Sequence, residues 1–161
     1  MEIKDIYLQY NKKTEYIMKR ILVLFVSIFA FAALTKADDK PIPFDQLPDL
    51  AKTFIKTNFA SAKVLYSSVD DDIIAPDYEV ILDNGFEIQF KNDGRLESID
   101  ANLGTIPESI IPEPIRAYIK ANYPNVTYKE YEVGARSYEV KISNGLELTF
   151  NAEFKVIEID D

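Results

Sequence analysis

Apolar and polar residues alternate in two stretches of the chain, each broken by Asn-Gly. Tyr78-Glu79-Val80-Ile81-Leu82-Asp83-Asn84-Gly85-Phe86-Glu87-Ile88-Gln89-Phe90 returns as Tyr138-Glu139-Val140-Lys141-Ile142-Ser143-Asn144-Gly145-Leu146-Glu147-Leu148-Thr149-Phe150. A period of two on both sides of a turn signal predicts a half-buried β-hairpin. Residues opposite one another in an antiparallel pair share a face. A two-residue loop would set Asp83 opposite Phe86 and Leu82 opposite Glu87, mixing apolar with charged. A three-residue loop sets Leu82 opposite Phe86, Val80 opposite Ile88 and Tyr78 opposite Phe90, making one face wholly apolar. The second copy behaves alike, and Gly85 and Gly145 fall where a G1 bulge needs a left-handed residue. The three-residue loop is preferred.

What flanks the hairpin also repeats. Ile42-Pro43 followed by Pro48 matches Ile106-Pro107 followed by Pro112, and each second proline opens a helical period. The first helix is expected from Pro48 to Phe59, with Leu50, Ala51, Phe54, Ile55 and Phe59 facing the core. The second runs from Pro112 to Tyr123, with Ile115, Tyr118, Ile119 and Tyr123 inward. Both prolines suit the first helical turn, and Asn58 and Asn122 suit a left-handed end. Strands are expected over 62–69 and 126–133, and the last strand of the first copy ends near Asp100. Ile99 and Ile159 should both point inward, whereas Leu96 has the wrong parity to join them. Tyr128 and Tyr131 also differ in parity, so one should face away from the helix. The turn at Lys91-Asn92-Asp93-Gly94 has Phe154 in place of its glycine in the second copy, which predicts a different turn type. The fold class is therefore α+β: a tandem duplicated repeat, each copy a helix, preceded by a short turn or helix, packed on a four-stranded antiparallel sheet. The repeats are placed at 42–100 and 106–161, with 101–105 as linker and 38–41 as a flexible lead-in.

The first part of the chain has another character. Met18-Lys19-Arg20 precedes fifteen uncharged residues, 21–35, and then Lys36-Ala37 before Asp38-Asp39. A basic start, a short apolar run and a small residue form a secretory signal peptide over 18–37, cleaved between Ala37 and Asp38. The run is short for a membrane span, and no cysteine follows it to take a lipid, so no stable membrane anchor is expected after cleavage. Residues 1–17 read as an upstream extension, with translation expected to start at Met18. The compartment implied is periplasmic or extracellular. Cysteine and histidine are absent and the formal charge is −9. These facts remove thiol and imidazole chemistry and argue against nucleic acid or an anionic membrane as partner. Without the three acidic and six basic residues of 1–37, 24 acidic and 12 basic remain, a charge of −12.

The chain resembles the PepSY-like, β-lactamase-inhibitor-like domain family of exported bacterial proteins. Phe54-Ile55-Lys56-Thr57-Asn58-Phe59, its copy Tyr118-Ile119-Lys120-Ala121-Asn122-Tyr123, the two Tyr-Glu-Val to Asn-Gly hairpins and Asn92-Asp93-Gly94 carry the likeness. It implies helices on one face of tandem antiparallel sheets, an exported setting, and binding rather than catalysis. No inhibitory residue carries over, because the shared motifs are turn and core positions.

On the open face each hairpin presents polar residues: Glu79, Ile81, Glu87 and Gln89, then Glu139, Lys141, Glu147 and Thr149. Side by side they are expected to form an acidic platform for a protein or peptide partner in the cell envelope. The alternative is a cation-binding envelope protein using Asp70, Asp71, Asp72 and Asp77, since calcium takes several oxygen ligands; the spacing is not that of an EF-hand. With no phosphate loop or nucleophile elbow, neither a cofactor nor enzymatic activity is expected.

Overall fold

The structure, a computed structural model, describes residues 39–70 and 75–161. The expectations for the extension, the signal peptide and its cleavage at Ala37–Asp38 lie outside the described residues, as do Asp71 and Asp72.

One order of elements occurs twice. A 3-10 turn, Phe44–Gln46, leads to helix α1 (Asp49–Asn58) and strands β2 (Val64–Val69), β3 (Tyr78–Leu82), β4 (Glu87–Phe90) and β5 (Leu96–Asp100). A second 3-10 turn, Glu108–Ile110, leads to α2 (Glu113–Asn122), β6 (Tyr128–Val133), β7 (Ser137–Ile142), β8 (Glu147–Asn151) and β9 (Val156–Asp160). Ahead of both stands the short β1, Lys40–Pro41, within the lead-in expected to be flexible. Instead of a separate four-stranded sheet in each repeat, all strands join one nine-stranded antiparallel sheet, ordered β1 to β9. The junction is β5 on β6, with Ser98 opposite Glu132, Ile99 opposite Tyr131 and Asp100 opposite Glu130.

Both hairpins have the three-residue loop. Leu82 N–H donates to Phe86 O and Gly85 N–H to Leu82 O, and Ile142, Leu146 and Gly145 repeat the pattern. Gly85 and Gly145 take φ of 86° and 97°, the region a Cβ disfavours. Val80, Ile88, Phe90, Val140, Leu148 and Phe150 are consequently buried on one face beneath Ala51, Ile55, Ile115 and Ile119. Burying such a side chain contributes about 1.5–3 kcal/mol. Phe54 meets Phe90 edge-on at 5.7 Å, and Tyr118 meets Phe150 in the same way at 5.7 Å.

Several local expectations are corrected. Pro48 and Pro112 precede the helices as N-caps with extended ψ, and their carbonyls accept the first helical bonds from Lys52 and Arg116. Leu50 is 57% exposed; it lies roughly 100° round the helix from Ala51, off the buried stripe. Asn58 and Asn122 are helical, and their amides donate back to Phe54 O and Tyr118 O. The left-handed residue that follows α2 is Asn125. A bulge between Tyr128 and Glu130 resets parity, so Tyr128 and Tyr131 are both buried. The same device between Gln89 and Phe90 places Leu96 opposite Phe90, against the core. The Phe154 turn has the same bonds as the Gly94 turn and takes φ 59°, with its ring stacked on Tyr138 at 5.0 Å. The turn type is therefore the same. Ile159 lies opposite Leu148 on the apolar face as Ile99 lies opposite Ile88, but it is 43% exposed whereas Ile99 is 1% exposed.

Candidate binding face

The helices cover one side of the sheet, and the polar residues of the strands line the other. Strand pairing arranges these residues in two rows that run across the strands. One row is Tyr66, Ile81, Glu87, Asp100, Glu130, Lys141, Glu147 and Asp160, each opposite the next. The other is Ser68, Glu79, Gln89, Ser98, Glu132, Glu139, Thr149 and Glu158. With strands about 4.8 Å apart, Glu87 and Glu147 stand roughly 19 Å from one another along their row.

All eight hairpin residues expected on this face are there, with Ile81 opposite Glu87 and Lys141 opposite Glu147. Asp100, Glu130, Glu132, Glu158 and Asp160 were not anticipated. They join the rows because β5 pairs with β6 and because β9 closes against β8. Parity with Ile99 and Ile159, both expected inward, would have found Asp100, Glu158 and Asp160, whereas the bulge between Tyr128 and Glu130 hid Glu130 and Glu132. Tyr66 also lies on the open face, partly exposed, opposite Ile81.

Carboxylates confront one another directly at four places: Glu87 and Asp100, Asp100 and Glu130, Glu132 and Glu139, Glu147 and Asp160. Like charges so placed destabilise a sheet. Lys141 offsets part of this by donating to Glu130 Oε1 at 2.7 Å, and that bond holds its ammonium above the usual lysine range. Glu139 is pushed up, first by burial and then by Glu132, Glu147 and Glu158. At the seam lies a hollow of about 260 Å³ lined by Asp100, Glu130, Glu132, Glu139, Lys141 and Glu147 among others.

On the helix side, a second hollow of about 430 Å³ lies between α2 and the start of β6, lined by acidic, basic and aromatic side chains alike. Burial raises the Tyr128 hydroxyl on its wall, with Glu108 adding and Arg116 opposing. The Asp70–Asp77 loop is closed by Asp70 N–H donating to Asp77 O at 3.0 Å. Among the described residues, no group of three or more acidic side chains is arranged to hold a metal ion. Among them, too, no helix is long and apolar enough to cross a membrane.

These features define a two-layer α+β repeat protein with one helix-covered and one open sheet face. The chain belongs to the PepSY-like family, described as β-lactamase-inhibitor-like, whose model matches residues 33–75 and 76–158. A periplasmic protein of the DUF2874 family from Bacteroides vulgatus is 38% identical, with a TM-score of 0.75 over 78% of this chain and 98% of its own. A protein from Bacteroides thetaiotaomicron, described as a calcium-regulated periplasmic protein, is 39% identical with a TM-score of 0.74, covering 76% of this chain and 97% of its own. A second Bacteroides vulgatus periplasmic protein, of unknown function, is 30% identical with a TM-score of 0.72, covering 76% and 99%. No protein with a curated function matches the chain.

Proposed function

We propose that the chain is a non-catalytic exported module that recognises a cationic protein or peptide of the cell envelope through its open sheet face. The observation that carries this reading is the set of four opposed carboxylate pairs across β4 to β9. A face that only needed water would be more stable with lysine or a neutral residue at alternate positions, because each like-charged pair costs about 0.2–1 kcal/mol. A basic partner converts that cost into complementarity, which chiefly raises the association rate and excludes acidic competitors. The periplasmic descriptions of similar structures support the compartment.

The test is capture from an envelope extract with the wild-type chain and a Glu87→Lys/Glu147→Lys variant as baits. A partner held by this face is lost from the variant and released from the wild type as salt rises. Equal capture by both baits rejects the reading.

A second reading is favoured by one relative. The 39%-identical neighbour is described as calcium-regulated, and Asp70 and Asp77 flank an acidic loop that includes Asp71 and Asp72. In this reading the loop binds calcium weakly, as modules outside the cytoplasm do at about 0.1–1 mM. Thermal melting during a calcium titration decides it: an unmoved midpoint at about 5 mM calcium removes the loop as a site.

A further inference from the structure

We infer that the outer edge of β9 is a strand-addition site for an extended partner segment in which apolar and basic residues alternate. The two repeats provide the comparison. Ile99 of β5 and Ile159 of β9 hold equivalent places, opposite Ile88 and Leu148 on the apolar face. Ile99 is 1% exposed, Ile159 is 43% exposed, and Ile157 beside it is 62% exposed. The difference is the next strand: Tyr131 of β6 lies directly opposite Ile99, whereas among the described residues no strand lies on the far side of β9. Ala101 N–H donates to Lys129 O across the β5–β6 junction. The two-residue period of a strand carries that direction to Ile159, whose amide and carbonyl point away from β8.

The occupant that fits is set by the same template and by charge. Opposite Ile159 the junction calls for a large apolar side chain, the role of Tyr131 at Ile99. The residues on either side of it meet Glu158 and Asp160, with Glu147 one strand behind. Basic residues complement those positions, so the segment alternates. A second copy pairing β9 with β9 would bring Glu158 and Asp160 of both chains together. A second copy offering β2 finds that edge occupied by β1. Strand addition at an open edge gives affinity through main-chain bonds and selectivity through alternate side chains.

The inference stands on the edge and not on the open face, and the experiment separates them. The full chain is titrated with a blocked seven-residue peptide alternating valine and lysine, followed by backbone amide shifts. Two further peptides are methylated at alternate amides, one on each edge. The expected result is shifts over 156–160, binding weakened about tenfold or more by one methylation pattern and little by the other, and none for a glutamate-for-lysine peptide. Shifts confined to Glu79, Glu87 and Glu139 overturn the edge and leave the face reading standing. Shifts confined to β9 uphold the edge and count against the face. Equal binding of both methylated peptides, absence of binding, or self-association through β9 in sedimentation overturns the inference.

Discussion

Replacing Glu139 by Gln removes a charge from the most crowded point of the open face. Its folded carboxyl sits above the ordinary value of 4.5, first through burial and then through Glu132, Glu147 and Glu158. Because the folded pKa is raised, the folded state keeps its proton at pH values where the unfolded chain has lost it. The penalty is therefore absent below the ordinary glutamate value, grows as pH rises through the folded pKa, and is constant above it. Glu132 is directly opposite, at a cross-strand separation of about 5 Å, where two charges in water repel by roughly 0.8 kcal/mol. Glu139→Gln should thus stabilise the protein by about 1 kcal/mol at neutral pH and by nothing near pH 3. Urea midpoints at the two pH values measure this. In about 1 M salt the repulsive share fades as the screening length falls to about 3 Å, leaving the share due to burial. A variant no more stable than wild type at neutral pH, or equally stabilised at both, refutes the account. The same substitution should weaken capture of a cationic partner, so stability and recognition move in opposite directions.

Two sets of substitutions test the turns. Gly94 takes φ 81°, and a Cβ there would lie 2.7 Å from the Pro48 Cβ and 3.1 Å from the Ala51 nitrogen, whereas Gly85 faces open space at φ 86°. Gly85→Ala should cost about 1–2 kcal/mol for backbone strain alone, and Gly94→Ala about 1–3 kcal/mol more for crowding the start of α1; equal urea midpoints contradict this. Phe154→Ala keeps the left-handed strain and loses the ring stacked on Tyr138, while Phe154→Gly loses the ring but relaxes the backbone. The glycine variant should be the more stable of the two by about 1 kcal/mol in the same assay.

The hairpins were legible because Asn-Gly marks the turn and only one loop length puts Val80, Ile88, Val140 and Leu148 on a common side. The helices were legible from their period, except at Leu50, whose hydrophobicity says nothing of its distance from the stripe centre. What local pattern conceals is an added residue. The bulges before Glu130 and after Gln89 reverse parity without any glycine or proline to announce them, and so hid the places of Tyr128 and Leu96. The union of β5 with β6 was hidden for another reason. A strand's own alternation does not reveal which edge neighbours it, so β5 and β6 stayed off the expected platform. Signal-peptide features at 18–37 and the acidic loop at Asp71–Asp72 lie outside the described residues.

That union also assigns a role to β1. Lys40 and Pro41 pair with Val69 and Ser68, the edge of β2 that corresponds to the edge of β6 taken by β5. Ile42 N–H donates to Ser67 O, and the buried Ser67 hydroxyl donates to Ile42 O at 2.7 Å. β1 thus stands where a preceding repeat would place its last strand, on the edge by which β2 could otherwise pair with the β9 of another molecule. Ser67→Ala removes one bond of this cap, worth about 1 kcal/mol. Tyr66 and Ser68 carry no charge, so the uncovered β2 edge would not repel the acidic β9 strand as a second β9 would. The expected outcome is faster amide exchange at Ile42 together with concentration-dependent, head-to-tail association in sedimentation, reversed by adding Ile159→Pro, which removes the outward amide of β9. Faster exchange at Ile42 without association would show that β1 is an ornament of the edge and not its guard.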